Sequence, residues 1–148
     1  MQLFLVRHGH ANRFGLTYYG REQMKAVAGF LKGMNLSASA LRLLTSPRMR
    51  ALNSASIIQQ DLCLSDFFVV DWLDDGAGGY RIMEEVEHLS DQLNLSSVFI
   101  AISHQPEIEN ALKAIGQHFG RDFHMYATRG SIHLVDTETR MLTKLFEP

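Results

Sequence analysis

Apolar and polar positions along this chain follow two periods. Residues 3–6 form a short unbroken apolar run, the pattern of a strand covered on both faces. Turn-forming residues continue through Gly15. From Thr17 onward, Met24, Val27, Ala28, Leu31 and Met34 recur at three- and four-residue steps, which predicts one apolar face of a helix ending near Gly33 and Asn35. Residues 41–44 read as a second strand. Ser46 then suits a helix N-cap and Pro47 the first helical position, where no N–H is needed. The helix behind them carries Ala51, Ala55, Ile58 and Leu62 on one face. Residues 67–70 read as a third strand, followed by the glycine-rich stretch 74–79. Ile82, Val86, Leu89 and Leu93 predict a third helix, residues 98–102 a fourth strand. Pro106 opens a further helix with Ile108, Leu112 and Ile115 on its buried face. Residues 131–135 and 141–146 predict two strands of a hairpin joined by the polar turn 136–140.

Strand and helix thus alternate four times before the hairpin. That order predicts an α/β three-layer sandwich: a mostly parallel central sheet, helices on both faces, and the C-terminal hairpin at one side. A chain of 148 residues fits a single domain spanning 1–148. In such sheets ligands bind beyond the carboxyl ends of the strands. Those ends carry Arg7-His8-Gly9, Ser46-Pro47 with Arg50, the acidic stretch 71–75, and Ser103-His104.

Composition narrows the function classes. With 46% hydrophobic and 20% charged residues, the chain is of the globular type and not the disordered one. A net charge of −2 argues against general nucleic-acid binding. The single cysteine, Cys63, excludes an internal disulfide, and its apolar neighbours predict a buried thiol. No apolar run approaches the ~20 residues of a membrane helix. The N-terminal run has no basic start and is cut short by Arg7, unlike a signal peptide. A cytoplasmic monomer, with no membrane and no nucleic-acid partner, is the expectation.

The strand-end residues suit phosphoryl chemistry. Arginine binds phosphate oxygens through a permanently charged planar fork. A neutral imidazole is a nucleophile toward phosphorus. A second, protonated histidine can hydrogen-bond the oxygens of the transferring group. Gly9 allows the backbone to pass close to a ligand. Two other readings use the same residues. His8 and His10, with His104 and Asp74 or Asp75, are candidate ligands of a metal-dependent hydrolase. A non-catalytic module binding a phosphorylated ligand is the other.

Together, Arg7-His8-Gly9, Leu16-Thr17-Tyr18-Tyr19-Gly20, Ser46-Pro47-Arg48-Met49-Arg50-Ala51 and Ser103-His104-Gln105-Pro106 resemble the histidine phosphatase superfamily, the phosphoglycerate mutase-like fold. The match in order and spacing runs to about residue 116. The short length and the Ser-His-x-Pro segment are most similar to SixA-type phosphohistidine phosphatases. The resemblance implies a catalytic set of His8 as the phosphorylated nucleophile, Arg7 and Arg50 on the phosphoryl oxygens, and His104 as the second histidine. It also implies no metal or other cofactor, while Gly9 is expected at the phosphate because its backbone can approach a ligand closely. Ser46 and Ser103 are expected to be structural.

The chain departs from the family at two positions. His10 stands where an acidic residue is common. Leu73-Asp74-Asp75-Gly76 stands where many members have a proton-donating Glu, leaving Asp74 and Asp75 as candidate donors. Imidazole leaves as a neutral ring, its conjugate acid having a pKa of about 6.5, so a P–N substrate asks little of a general acid. Phosphohistidine on a protein is therefore the expected substrate, with a small phosphomonoester as the alternative. Arg13, Arg21 and Arg48 are not expected to touch the phosphate. His88, His118, His124 and His133 are read as surface or structural residues, His124 being a candidate for the cleft border.

Overall fold

The computed structural model describes residues 1–93 and 97–148. Its centre is a six-stranded sheet in the order β5-β4-β6-β1-β7-β8. The first strand, β1 (Gln2–Arg7), runs parallel to β6 (Val98–Ser103) on one side and antiparallel to β7 (Ile132–Asp136) on the other. Strand β4 (Leu41–Thr45) lies parallel to β6 and to β5 (Phe68–Val69). Strand β8 (Met141–Phe146) closes the hairpin with β7. The α/β sandwich and its terminal hairpin are as the sequence pattern predicts.

Successive side chains of β1 point to opposite faces, and Leu3, Phe4, Leu5 and Val6 are all fully buried. Leu3 and Leu5 join Ile82, Val86, Ile108 and Leu112, which belong to α3 (Ile82–Leu93) and α4 (Gln105–His118). Phe4 and Val6 join Met24, Val27, Leu31 and Ala55, from α1 (Tyr18–Gly33) and α2 (Met49–Asp61). An apolar run can be unbroken here because helices cover both sides. Helix α1 begins where expected: the Thr17 hydroxyl caps it by accepting from the Gly20 N–H at 3.1 Å.

Four local expectations are corrected. The third strand shrinks to Phe68–Val69, both exposed, because it pairs only with β4 at the sheet edge. Cys63 is exposed, its φ of 53° placing it in the turn that follows α2. Helix α2 starts at Met49 with Arg48 as N-cap, two residues later than Pro47 suggests, because the Ser46 hydroxyl serves the site instead. Within the stretch read as turns, β2 (Ala11–Asn12) and β3 (Gly15–Leu16) pair as a small hairpin. Among the described residues no helix is long and apolar enough to cross a membrane.

Register sets the site. Arg7 lies opposite Ser103, and Thr45 opposite Ile102. The His8 N–H donates to the Ser103 carbonyl (3.3 Å) and the Ser46 N–H to the Ile102 carbonyl (3.0 Å). Three strands therefore end side by side, and the residues just beyond them share one edge.

Candidate active site

That edge holds an open cleft of about 450 Å³ whose lining includes Arg7, His8, Arg50, Asp75 and His104. Gly9 is buried directly beside it. A Cβ at Gly9 would stand 2.5 Å from the Gly20 carbonyl oxygen, so the end of β1 and the start of α1 meet backbone to backbone. The Gly9 N–H reaches Ser54 Oγ at 3.3 Å, and that hydroxyl donates to the Arg50 carbonyl at 2.8 Å. The nucleophile candidate and the arginine on α2 are thereby held in one network.

His8 is buried, and its Nδ1 lies 2.7 Å from the Gly9 carbonyl oxygen. A carbonyl only accepts, so Nδ1 carries the proton. Nε2 is then the ring atom with the free lone pair, and Arg50 Nε donates to it at 3.2 Å. Burial pushes the His8 pKa from 6.5 down to about 3, with His104, Arg50 and Arg7 adding to the depression against the Gly9 hydrogen bond. The ring is neutral at neutral pH, as an attacking imidazole must be.

His104 faces His8 with ring centroids 5.1 Å apart. Its Nε2 lies 2.7 Å from Ser46 Oγ, and that hydroxyl also accepts the Arg48 N–H at 3.3 Å. His104 Nδ1 is buried and has no protein partner. Burial first, then Arg50, lowers the His104 pKa to about 4. The sequence leaves the protonation of His104 open; with this pKa the ring is neutral at neutral pH.

Arg7 Nη1 donates to the Ala127 carbonyl at 2.8 Å. Glu109 braces this contact by accepting the Ala127 N–H and the Gln105 amide, each at 3.0 Å. Arg50 Nη2 meets Asp75 Oδ2 at 2.6 Å. The two candidate donors separate here. Asp75 lines the cleft, whereas Asp74 is held by Arg48 Nε and the Asp75 N–H, both at 2.7 Å. The loop carrying them is pinned to α4: Glu107 accepts the Gly76 N–H at 2.8 Å and Asn110 donates to the Gly78 carbonyl at 2.9 Å. Ser103 Oγ donates to the Leu73 carbonyl at 2.7 Å, a structural role as expected.

His10 stands apart. Its Nδ1 lies 2.8 Å from Thr17 Oγ1 and its ring packs edge-on against Tyr19. Among the described residues, no three His, Cys, Asp or Glu side chains are placed to share a metal ion. The His8–His10 metal reading therefore has no ligand set here. Arg48 turns to Asp74, while Arg13 reaches the cleft after all, together with Arg129, Gln105 and Asn12. His124 is not among the lining residues. Ala127, Glu107 and Glu109 carried no sequence signal. Ala127 acts through its backbone, and a glutamate in the first turns of a helix ordinarily reads as a solvated charge.

No protein-family model matches the chain, and no curated protein sequence does. Solved structures do. The protein histidine phosphatase SixA, complexed with tungstate, superposes with a TM-score of 0.78 at 25% identity, covering 99% of this chain and 95% of that one. SixA from Agrobacterium tumefaciens gives a TM-score of 0.71 at 16% identity, over 99% and 97% of the two chains. A phosphoserine phosphatase from Entamoeba histolytica gives 0.67 at 15% identity, over 97% and 94%. With its fold shared over 99% of the chain with SixA and its strand-end motifs meeting in one cleft, the chain has a SixA-like histidine phosphatase fold.

Proposed function

We propose that the protein is a metal-independent phosphatase that removes the phosphoryl group from phosphohistidine on a partner protein. The observation that carries this reading is the fixed tautomer of His8: Nδ1–H spent on the Gly9 carbonyl, Nε2 aimed at Arg50 in a cleft shared with Arg7 and His104.

Arg7 and Arg50 hold the phosphoryl oxygens, and His104, whose Nδ1 has no protein partner, meets a third. The His8 Nε2 lone pair attacks phosphorus, and the bond from phosphorus to the substrate imidazole breaks. The departing ring, already protonated by solvent on its other nitrogen, takes that electron pair and leaves as neutral imidazole. Water then attacks phospho-His8, the P–Nε2 bond breaks with its electrons returning to His8, and inorganic phosphate leaves. Charge developing on the phosphoryl oxygens is met by guanidinium groups already in place.

Two features favour the P–N substrate. Asp75, the cleft carboxylate, is engaged by Arg50, so the phosphate-binding arginine and the candidate donor are paired with each other. The cleft is also open, which suits a phosphate presented on a protein surface. A small-phosphomonoester substrate is the second reading, favoured by Asp75 being within the cleft lining.

The test is phosphoryl trapping. Rapid quenching with a histidine-phosphorylated protein should leave acid-labile phosphate on His8, and His8→Ala should lose both the label and turnover by at least about a thousandfold. Turnover surviving in His8→Ala would refute the covalent mechanism.

A further inference from the structure

The cleft holds more positive charge than one phosphoryl group accounts for. Arg7, Arg13, Arg50 and Arg129 all line it, with Asp75 as the one carboxylate among the described lining residues. The two inner guanidiniums are committed, Arg7 to the Ala127 carbonyl and Arg50 to His8 and Asp75. The two outer ones are different. Among the described residues neither Arg13 nor Arg129 forms an ion pair with a carboxylate.

The backbone that carries each of them is nevertheless fixed. Arg129 sits in a tight turn fastened to the end of β1. The neighbouring Gly130 N–H donates to the carbonyls of Arg7 (3.1 Å) and His8 (3.3 Å), and the Ser131 N–H to that of Thr128 (3.0 Å). Its charge is close enough to Arg7 to help depress that group's pKa, second only to burial. Arg13 occupies the tip of the β2–β3 hairpin, where its guanidinium lies 4.8 Å from the centroid of the Phe14 ring. The hairpin is tied down by the Phe14 N–H on Asn12 Oδ1 (2.9 Å) and the Leu16 N–H on Asn53 Oδ1 (3.2 Å). Cations sharing one cleft, with Asp75 as the one carboxylate among its described lining residues and that one engaged by Arg50, favour a bound anion.

We infer that Arg13 and Arg129 form a second anion subsite beside the phosphoryl pocket, which takes a carboxylate or phosphate carried by the substrate close to its transferred phosphoryl group. The inference rests on the phosphatase reading for the pocket itself and adds a specificity element to it. The second anion belongs either to the phosphorylated molecule, as in a phosphorylated carboxylic acid, or to an acidic side chain flanking a phosphorylated histidine.

Two probe pairs separate these sources. The first is ethylphosphonate against 3-phosphonopropionate, which differ by one carboxylate and cannot be hydrolysed; binding is read by calorimetry. The second is a phosphohistidine peptide with glutamate flanks against the same peptide with glutamine flanks, read as kcat/KM. The carboxylate-bearing partner of at least one pair should be favoured about tenfold, the scale of one charge-assisted contact. Arg13→Gln and Arg129→Gln should each reduce that ratio, and the double variant should bring it to about one. A ratio in the phosphonate pair assigns the anion to the phosphorylated molecule, and one in the peptide pair to a flanking side chain. Ethylphosphonate bound with no preference in either pair, or a preference surviving the double variant, overturns the subsite alone. No binding of either phosphonate and no peptide turnover overturns the phosphoryl pocket and the subsite with it.

Discussion

The protonation pattern of His8 is decided by one atom, the Gly9 carbonyl oxygen. Nothing in a residue's identity shows which ring nitrogen a backbone carbonyl will engage, so the sequence offers His8 as a nucleophile but not the atom that attacks. The same limit applies to the acid. Asp74 and Asp75 are indistinguishable on chemistry, and only their partners, Arg48 and Arg50, separate them. If the leaving group is imidazole, Asp75→Asn should reduce phosphohistidine hydrolysis by less than about tenfold. The same variant should cost an alkyl monoester at least about a hundredfold, the contribution of a general acid. Parallel rate measurements decide it: equal losses on both substrates would remove the argument for a P–N substrate.

At the scale of elements, apolar periodicity located all four helices and the buried strands β1, β4 and β6 among the described residues, because burial on two faces leaves a continuous signal. It overestimated β5, where an edge strand two residues long buries neither face. It misplaced the start of α2, where the hydroxyl suited to the cap is used by His104. The motifs gave Arg7, His8, Arg50 and His104, since strand order brings their positions to one edge. They missed the outer arginines, which reach the cleft from a hairpin and a turn. The packing of α4 on the acidic loop was equally hidden. Gly79 has φ +83° and lies against the Glu107 backbone so closely that a Cβ there would overlap its carbonyl oxygen. Gly79→Ala should therefore destabilise the fold by about 2 kcal/mol or more and displace the segment holding Asp75. Chemical denaturation alongside phosphate binding measures both effects, and an unchanged midpoint would show that the loop is not clamped.

For the molecule as a whole, three buried histidines make stability depend on pH. Burial lowers His8 to about 3, and His104 and His133 to about 4. In the unfolded chain each binds a proton near pH 6.5. Between pH 6.5 and about 4 the unfolded state thus holds more protons than the folded one, and stability falls as pH falls. The melting temperature should drop by at least about 5 °C from pH 7 to pH 5. His133→Leu, which removes a fully buried ionisable ring, should show a shallower drop. A melting temperature flat across that range would contradict the neutral assignment.

The placement of β1 has a consequence in time. This strand carries the nucleophile at its tip, yet it takes one neighbour from residues 98–103 and the other from residues 132–136. During synthesis His8 emerges long before the strands that fix Arg7 and bring His104 beside it. Pairings so distant in sequence form slowly. A growing chain therefore has its imidazole long before it has the cleft that makes it reactive, and chemistry at His8 waits for residues 98–136 to be in place.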